Sequence, residues 1–174
     1  MKRIFFFGCF FIFCNSVSAQ NSFPQSFLGH WEGTLYWYQT GKRTPQTVKM
    51  QLIIRPADSA DAYTWQIIYG NKGEDNRPYI LKPVDTAKGH WQVDERNGIV
   101  LDQYFVGERF TSAFTVQNTT IMDSYWREGN NLVAEFYAIT AKPVASTGKG
   151  TEDSPKVESY GTRSYQRAVM KKMN

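Results

Sequence analysis

The sequence predicts an all-β protein, an antiparallel up-and-down β-barrel of about ten strands. The chain has 5 Trp, 10 Tyr and 12 Phe, and aromatic and β-branched side chains suit pleated, half-buried surfaces. Short runs alternate apolar and polar residues and are separated by turn residues. Hairpin-length turns link successive runs, and closing the sheet leaves no strand edge exposed. A Greek-key sandwich is the alternative architecture.

Each predicted strand follows from its own alternation. The second run puts Val48, Met50, Leu52 and Ile54 on one face, and Asn97-Gly98 is a strong hairpin signal between two later runs. The segments 22–27 and the last few residues are expected to be helical, and 142–156 is a long polar loop. Pro83 indicates an edge or a bulge. The predicted strands are 30–39, 47–55, 62–69, 79–85, 90–95, 99–106, 110–117, 121–127, 132–140 and 157–171.

The first 19 residues resemble a cleaved export signal. Lys2 and Arg3 precede an apolar run over 4–14, and Val17 and Ala19 form an A-x-A-like site. Eleven apolar residues are too few for a membrane span, which needs about 20. We therefore expect cleavage near Ala19, an exported chain in the periplasm or outside the cell, and one barrel domain over 20–174 without a transmembrane segment.

Export would leave a mature chain without cysteine, because Cys9 and Cys14 both lie in the leader. Disulfides and thiolate metal sites are then excluded. Loss of Lys2 and Arg3 reduces the formal net charge from +4 to +2. Near-neutral charge argues against a nucleic-acid partner.

The run Leu28-Gly29-His30-Trp31-Glu32-Gly33 resembles the Gly-x-Trp signature that opens the first strand of lipocalins and their calycin relatives. The resemblance implies a barrel closed at one end by Trp31, with an Arg of the last strand packed across its ring. Arg167 is the natural counterpart, and Arg163 is the alternative. The chain is also similar to uncharacterised secreted lipocalin-like proteins of gut bacteria.

The longer form Leu-Gly-x-Trp-x-Gly resembles the nitrobindin family, whose ten-stranded barrels hold haem. Haem ligation in that family uses a His close to the C-terminus, whereas Tyr165-Gln166-Arg167 here contains none. We therefore expect no haem and no other cofactor.

The two histidines and the strand carboxylates are the candidate reactive groups. Alternation sends His30 and His90 outward if Trp31 and Trp91 point inward, and two nitrogens fall short of a usual zinc site, so no metal site is expected. Catalysis by a buried carboxylate pair is a third hypothesis without a motif, and no catalytic residue is proposed. The strand carboxylates are expected to face outward because each has an apolar neighbour better suited to the interior; they are Glu32, Asp102, Asp123 and Glu135.

Two functions remain open. The first is a binding module that holds a small hydrophobic or amphipathic ligand inside the barrel, entering opposite the Trp31 end. The second is an interaction protein that binds a cell-envelope protein or a glycan through its loops, chiefly 142–156. The aromatic side chains either line a pocket or simply fill the barrel. The candidate wall residues are Trp37, Tyr63, Trp65 and Phe114, with Arg109 and Arg127 as polar contacts.

Overall fold

The computed structural model describes residues 23–59, 61–71 and 73–174. The predicted leader over 1–19 lies outside the described residues.

The described chain forms a closed antiparallel barrel of ten strands, as the sequence predicted. Eight hairpins join the first nine strands in chain order, and the last strand closes the barrel by pairing with both the ninth and the first. The order around the barrel is β1-β12-β9-β8-β7-β6-β5-β4-β3-β2, and β10 and β11 form a separate ribbon. The strands are β1 Gly29–Gln39, β2 Gln46–Ile54, β3 Tyr63–Tyr69, β4 Asp75–Asp85, β5 His90–Asp94, β6 Val100–Val106, β7 Arg109–Val116, β8 Thr119–Glu128, β9 Asn131–Thr140, β10 Ala145–Thr147, β11 Val157–Ser159 and β12 Thr162–Met173.

The barrel closes where β1 pairs with β12, from His30 opposite Met173 to Gln39 opposite Ser164. Inner and outer positions alternate along both strands, because successive side chains of a strand point to opposite faces. Gly33 lies at this seam, where a Cβ atom would stand 2.3 Å from the backbone oxygen of Val169. The second glycine of the opening motif therefore permits the close approach of the first and last strands.

The end of the chain differs from the prediction. The last residues are strand rather than helix, because β12 runs to Met173 and pairs with β1 along its whole length. The expected single strand over 157–171 is divided into β11 and β12. The predicted loop contains β10, which pairs with β11 just beyond the loop to form an exposed two-stranded ribbon.

Two smaller expectations are confirmed. Residues Gln25–Phe27 form a 3₁₀ turn before β1, within the segment expected to be helical. The pairing of β4 with β5 shifts register between Pro83 and Asp85, which is the irregularity that Pro83 indicated. A second 3₁₀ turn, Thr86–Lys88, joins β4 to β5. In the described part of the chain, no helix has the length and apolar character needed to cross a membrane.

The core is concentrated at the end of the barrel where β1 begins, which we call the closed end. Trp31, Ile54, Phe110, Leu132 and Met170 are fully buried there. The opposite end, where β1 finishes at Gln39, is called the open end. The two ends differ in how far solvent reaches the inner wall, because Trp31 is fully buried and Trp37 is 36% exposed.

Candidate functional site

The closed end is sealed by the segment that precedes β1. The indole nitrogen of Trp31 donates to the Phe27 backbone oxygen at 2.7 Å, and both side chains are buried. The Phe23 ring stacks on Phe110 with ring centroids 4.4 Å apart and meets Trp91 edge-on at 5.1 Å. Aromatic contacts of this kind add to the burial of the rings themselves. The chain before β1 therefore acts as an apolar plug.

Two cations lie over the Trp31 ring, and neither is the one expected. The Arg127 guanidinium is 4.6 Å from the ring centroid and the Lys172 ammonium is 5.6 Å from it. Arg127 also donates to the backbone oxygens of Ser26, Asn131 and Gly129. It thereby links the plug, the β8–β9 turn and the indole, and cation–π attraction adds to the hydrogen bonds.

Arg167 faces the opposite side of the sheet, so its predicted packing on Trp31 is wrong. Ala168 and Met170 are the buried positions of β12, and alternation therefore points Arg167 outward. Its guanidinium approaches Glu135 at 3.4 Å and Glu128 at 3.6 Å. The alternative, Arg163, is an outer, exposed residue of β12.

Arg109 also belongs to the outer face rather than to an inner wall. Its guanidinium lies 3.9 Å from the centre of the Trp126 ring and 3.8 Å from Glu135. The Tyr165 hydroxyl donates to the same carboxylate at 2.8 Å, and burial together with this bond raises the pKa of Tyr165. Arg109 is therefore not a polar contact of the interior. Arg127 is not one either, because its hydrogen bonds hold it at the closed end.

Solvent reaches the inner wall progressively towards the open end. In β1 the inner residue Leu35 is 3% exposed, whereas Trp37 is 36% exposed. In β7, Ser112 is 5% exposed, Phe114 is half-buried and Val116 is 47% exposed. Solvent thus reaches these inner side chains at the end opposite Trp31.

The four predicted wall residues occupy different depths. Trp37 stands at the mouth of the open end and Phe114 lies on the upper inner wall. Trp65 is 1% exposed and packs against Tyr125 and Phe110, with ring centroids 5.0 and 5.3 Å away, so it forms the floor. Tyr63 lies below this floor, beside Trp91. Trp37 and Phe114 are therefore placed at the accessible end, and Tyr63 is not.

Asp123 is the polar group that the sequence analysis placed on the wrong face. It is an inner residue of β8, only 7% exposed, one inner position above the buried Tyr125. The Ser112 backbone nitrogen and hydroxyl both donate to its Oδ1, at 2.9 and 2.7 Å. The other three strand carboxylates do face outward; Glu32 pairs with Lys49, Asp102 with His90, and Glu135 with the arginines above.

The mistake has a simple cause in the sequence of β8. Apolar residues occupy both parities of this strand, with Ile121 and Tyr125 on one face and Met122 and Trp126 on the other. Alternation alone then does not decide which face is inner. Asp102 and Glu135 lie on the outer face, so neither is paired with Asp123. The enzyme hypothesis required a buried pair of carboxylates.

Asp123 and its neighbour Gln103 are buried polar groups, and one atom of Gln103 lacks a hydrogen-bond partner among the described residues. Burial raises the pKa of Asp123 to about 6, although hydrogen bonds from Ser112 and Gln103 oppose the rise. Gln103 is 2% exposed, and its Oε1 atom is buried without a hydrogen-bond partner among the described residues. An unsatisfied buried acceptor costs roughly 1–3 kcal/mol of stability. Two acceptor groups therefore stand side by side in the interior.

Polar side chains lie between the buried pair, Asp123 and Gln103, and the rim of the open end. Tyr69 ends β3 near Asp123, and burial raises the pKa of its hydroxyl to about 12. The Arg77 guanidinium lies 5.0 Å from the Tyr69 ring centroid. Arg77 is itself bound to both oxygens of Asp75, at 3.0 and 2.6 Å. The positive charge at the rim is thus already paired.

We predict that Asp123 makes stability depend on pH with an unusual sign. Its folded pKa of about 6 lies above the ordinary value of 3.8, so the native protein binds more protons than the unfolded chain between these values. The contribution of Asp123 to the free energy of unfolding should therefore be largest below about pH 4 and fall by roughly 2–3 kcal/mol as pH rises through 6. Urea unfolding of the native chain and of Asp123→Asn across this pH range measures the contribution of Asp123 to the free energy of unfolding.

The Asp123→Asn variant should lack the fall between about pH 4 and pH 7. Asp94→Asn is the matched control, because Asp94 is a surface carboxylate whose pKa is lowered by hydrogen bonds to Lys82 and Arg96. The contribution of Asp94 to the free energy of unfolding is lost only as the pH falls below the ordinary pKa of a carboxyl group. An identical pH slope in the native chain and in Asp123→Asn would contradict the assignment.

Two depressions of the described chain lie outside the upper interior. A cleft of about 1200 Å³ borders the plug at the closed end, between Phe23, Lys88 and Arg127. A groove of about 660 Å³ runs along the outer face of β1 and β12, between Tyr36 and Tyr165. Both are alternative places for a ligand.

The histidines face outward, as alternation predicted. The Nε2 atom of His30 lies 2.8 Å from the Gln51 side-chain oxygen, and that of His90 lies 2.7 Å from Asp102. The His90 ring also stacks on Tyr104, with centroids 4.7 Å apart. Each histidine therefore has a structural partner on the outer wall.

Comparisons with known proteins bear on the fold. No family model matches the chain, and no curated protein matches it. Among solved structures, the chain is similar to a protein of unknown function from the DUF3598 family of Nostoc punctiforme, with a TM-score of 0.60 and 12% sequence identity. The match covers 86% of this chain and 48% of that protein, so the chain spans about half its length. This likeness supports the barrel fold and leaves the ligand open.

Proposed function

We propose that this protein is a binding barrel of the calycin type, which takes a small amphipathic ligand into its interior through the open end. The observation that carries the proposal is the difference between the two ends. Trp31, Phe27 and Arg127 seal one end, while the inner side chains of β1 and β7 become more exposed towards the other. Open barrel mouths of this kind are common ligand sites.

The inner wall has the chemistry of an amphipathic site. Phe114, Phe136 and Tyr69 are half-buried inner residues above the Trp65–Tyr125 floor. Asp123 and Gln103 add polar groups at the depth where the wall becomes fully buried. A small number of polar groups in an otherwise apolar pocket fixes the orientation of a ligand. A ten-stranded barrel also encloses more space than the eight-stranded barrels that hold one small ligand.

Blocking the upper interior tests the proposal. Ala138 is an inner residue of β9, opposite Ile121 and close to the open end. The Ala138→Trp variant should reduce binding of the neutral fluorescent probe N-phenyl-1-naphthylamine by at least about tenfold, because the indole fills the space that the probe needs. Fluorescence titration of the native chain and the variant gives both affinities.

Ala113→Trp is the matched control, since Ala113 is an exposed outer residue of β7. The same side chain is added, but outside the barrel, and probe binding should stay within about threefold of the native value. Equal affinity in the native chain and in both variants would reject an interior site.

We also propose that the barrel works outside the cytoplasm, on the basis of the leader-like segment. The mature N-terminus should then be Gln20, which intact-mass measurement of the exported protein determines. A protein that keeps residues 1–19 after expression with an active export pathway would oppose this proposal.

The β10–β11 ribbon favours a second candidate, an envelope protein that binds its partner through a loop. Val144, Val157 and Tyr160 are 65%, 50% and 45% exposed on or beside the ribbon. Replacing 144–160 by a short Gly-Ser linker should then abolish capture of a partner from envelope extracts and leave probe binding unchanged. Capture of the same partner by the shortened chain would eliminate this candidate.

A further inference from the structure

We propose that the polar end of the ligand is a protonated amine, held between Asp123 and the unpartnered oxygen of Gln103. This inference rests on the proposed function, since it requires a ligand in the upper interior. It names the chemical class that the interior selects.

The orientation of the Gln103 amide follows from its neighbour. Its nitrogen donates to the Asp123 carboxylate, which leaves Oε1 buried and without a partner among the described residues. A flipped amide would place its oxygen against the carboxylate, where two acceptors repel each other. The free position of this pair is therefore an acceptor, and only a hydrogen-bond donor satisfies it.

The charge of the site favours a cation over a neutral donor. Among the described residues, no Lys or Arg forms an ion pair with Asp123, and its contacts come from Ser112 and Gln103. Arg77, the guanidinium at the rim, is bound to Asp75 instead. A negative charge at the base of an aromatic wall is complementary to an ammonium group.

The same groups disfavour an anionic ligand. A carboxylate or phosphate would meet the Asp123 carboxylate and the Gln103 oxygen, both of which accept hydrogen bonds. Fatty acids and similar anions are therefore poor candidates. The ligand that fits best has an aryl or short alkyl body for Phe114 and Phe136 and a primary amine at one end.

Three probes with one body separate these classes: 3-phenylpropylamine, 3-phenylpropan-1-ol and 3-phenylpropionate. Each competes with N-phenyl-1-naphthylamine at neutral pH. In the native chain, the amine should compete at a concentration at least about tenfold lower than the alcohol, and the carboxylate should be the weakest. In Asp123→Asn the advantage of the amine over the alcohol should fall to within about threefold.

The pH dependence gives a second readout. Amine competition should weaken as pH falls below about 6, where Asp123 takes up a proton while the amine keeps its charge. The other ionisable groups that face this region are Tyr69, Tyr125 and the Asp75–Arg77 pair. Burial raises the pKa of both tyrosines, and the Arg77 bond lowers that of Asp75.

Glu95 interacts with Tyr79 at the rim, so Glu95→Gln is a control that should leave the pH profile unchanged. The inference would be overturned if the amine competed no better than the alcohol, or if the carboxylate competed best. Either result would leave the interior site itself intact, provided that the probe binds and Ala138→Trp weakens its binding. Unchanged probe affinity in Asp123→Asn shows that this variant is folded. Loss of amine preference in Glu95→Gln rather than in Asp123→Asn would also overturn it.

Discussion

Replacing Trp31 by alanine should lower the free energy of unfolding by about 3–5 kcal/mol. The side chain is fully buried, donates to Phe27 and lies beneath the Arg127 guanidinium. Truncation therefore leaves a cavity, removes a hydrogen bond and separates the plug from the barrel. Urea unfolding followed by circular dichroism measures the change.

Trp37→Ala is the matched control for this experiment. Trp37 is an inner residue of the same strand, six positions nearer the open end, and is 36% exposed. Its replacement should cost less than about 1.5 kcal/mol, because half-exposed side chains lose less on truncation than buried ones. Equal losses at the two positions would contradict the distinction between a closed and an open end.

Gly33→Ala should lower the free energy of unfolding by about 3 kcal/mol or more. The added Cβ would stand 2.3 Å from the Val169 oxygen and 3.0 Å from its carbonyl carbon. These are backbone atoms of the paired strand, so relief requires β1 and β12 to move apart at the seam that closes the barrel.

Gly161→Ala is the control, because a Cβ there would meet only side-chain atoms of Thr140 and Val144 at 3.2 Å. Those side chains are able to shift, and the loss should stay below about 1 kcal/mol. A native-like unfolding midpoint for Gly33→Ala would show that the seam is looser than the structure indicates.

The sequence predicted the barrel well because its signals are local. Alternation in β2 and the Asn97-Gly98 turn each depend on a few neighbouring residues, and the strands end within a few residues of the predicted limits. Closure was inferred indirectly, from short turns and from the opening motif. The function of Gly33 within that motif became clear only from the register of β1 against β12.

The errors concern contacts between distant parts of the chain. Arg167 was assigned to Trp31 from a family resemblance, although Ala168 and Met170 set the opposite parity for it. Lys172 has the inner parity that Ala168 and Met170 set, and the register places it directly opposite Trp31. Arg127 comes from another strand, and nothing near Trp31 in the sequence points to it.

Asp123 shows the same limit within the candidate site. A strand with apolar residues on both faces does not reveal its inner side until its neighbours are known. Ser112 and Gln103 lie 11 and 20 positions away in the chain, and only the pairing of β6, β7 and β8 brings them together.

A crystal structure of the protein with 3-phenylpropylamine would test whether the barrel binds an amine in its upper interior. We expect electron density in the upper interior, with the amine against Asp123 and Gln103 and the ring against Phe114. Density only in the cleft beside Phe23 and Lys88, or only in the outer groove beside Tyr36 and Tyr165, would contradict it.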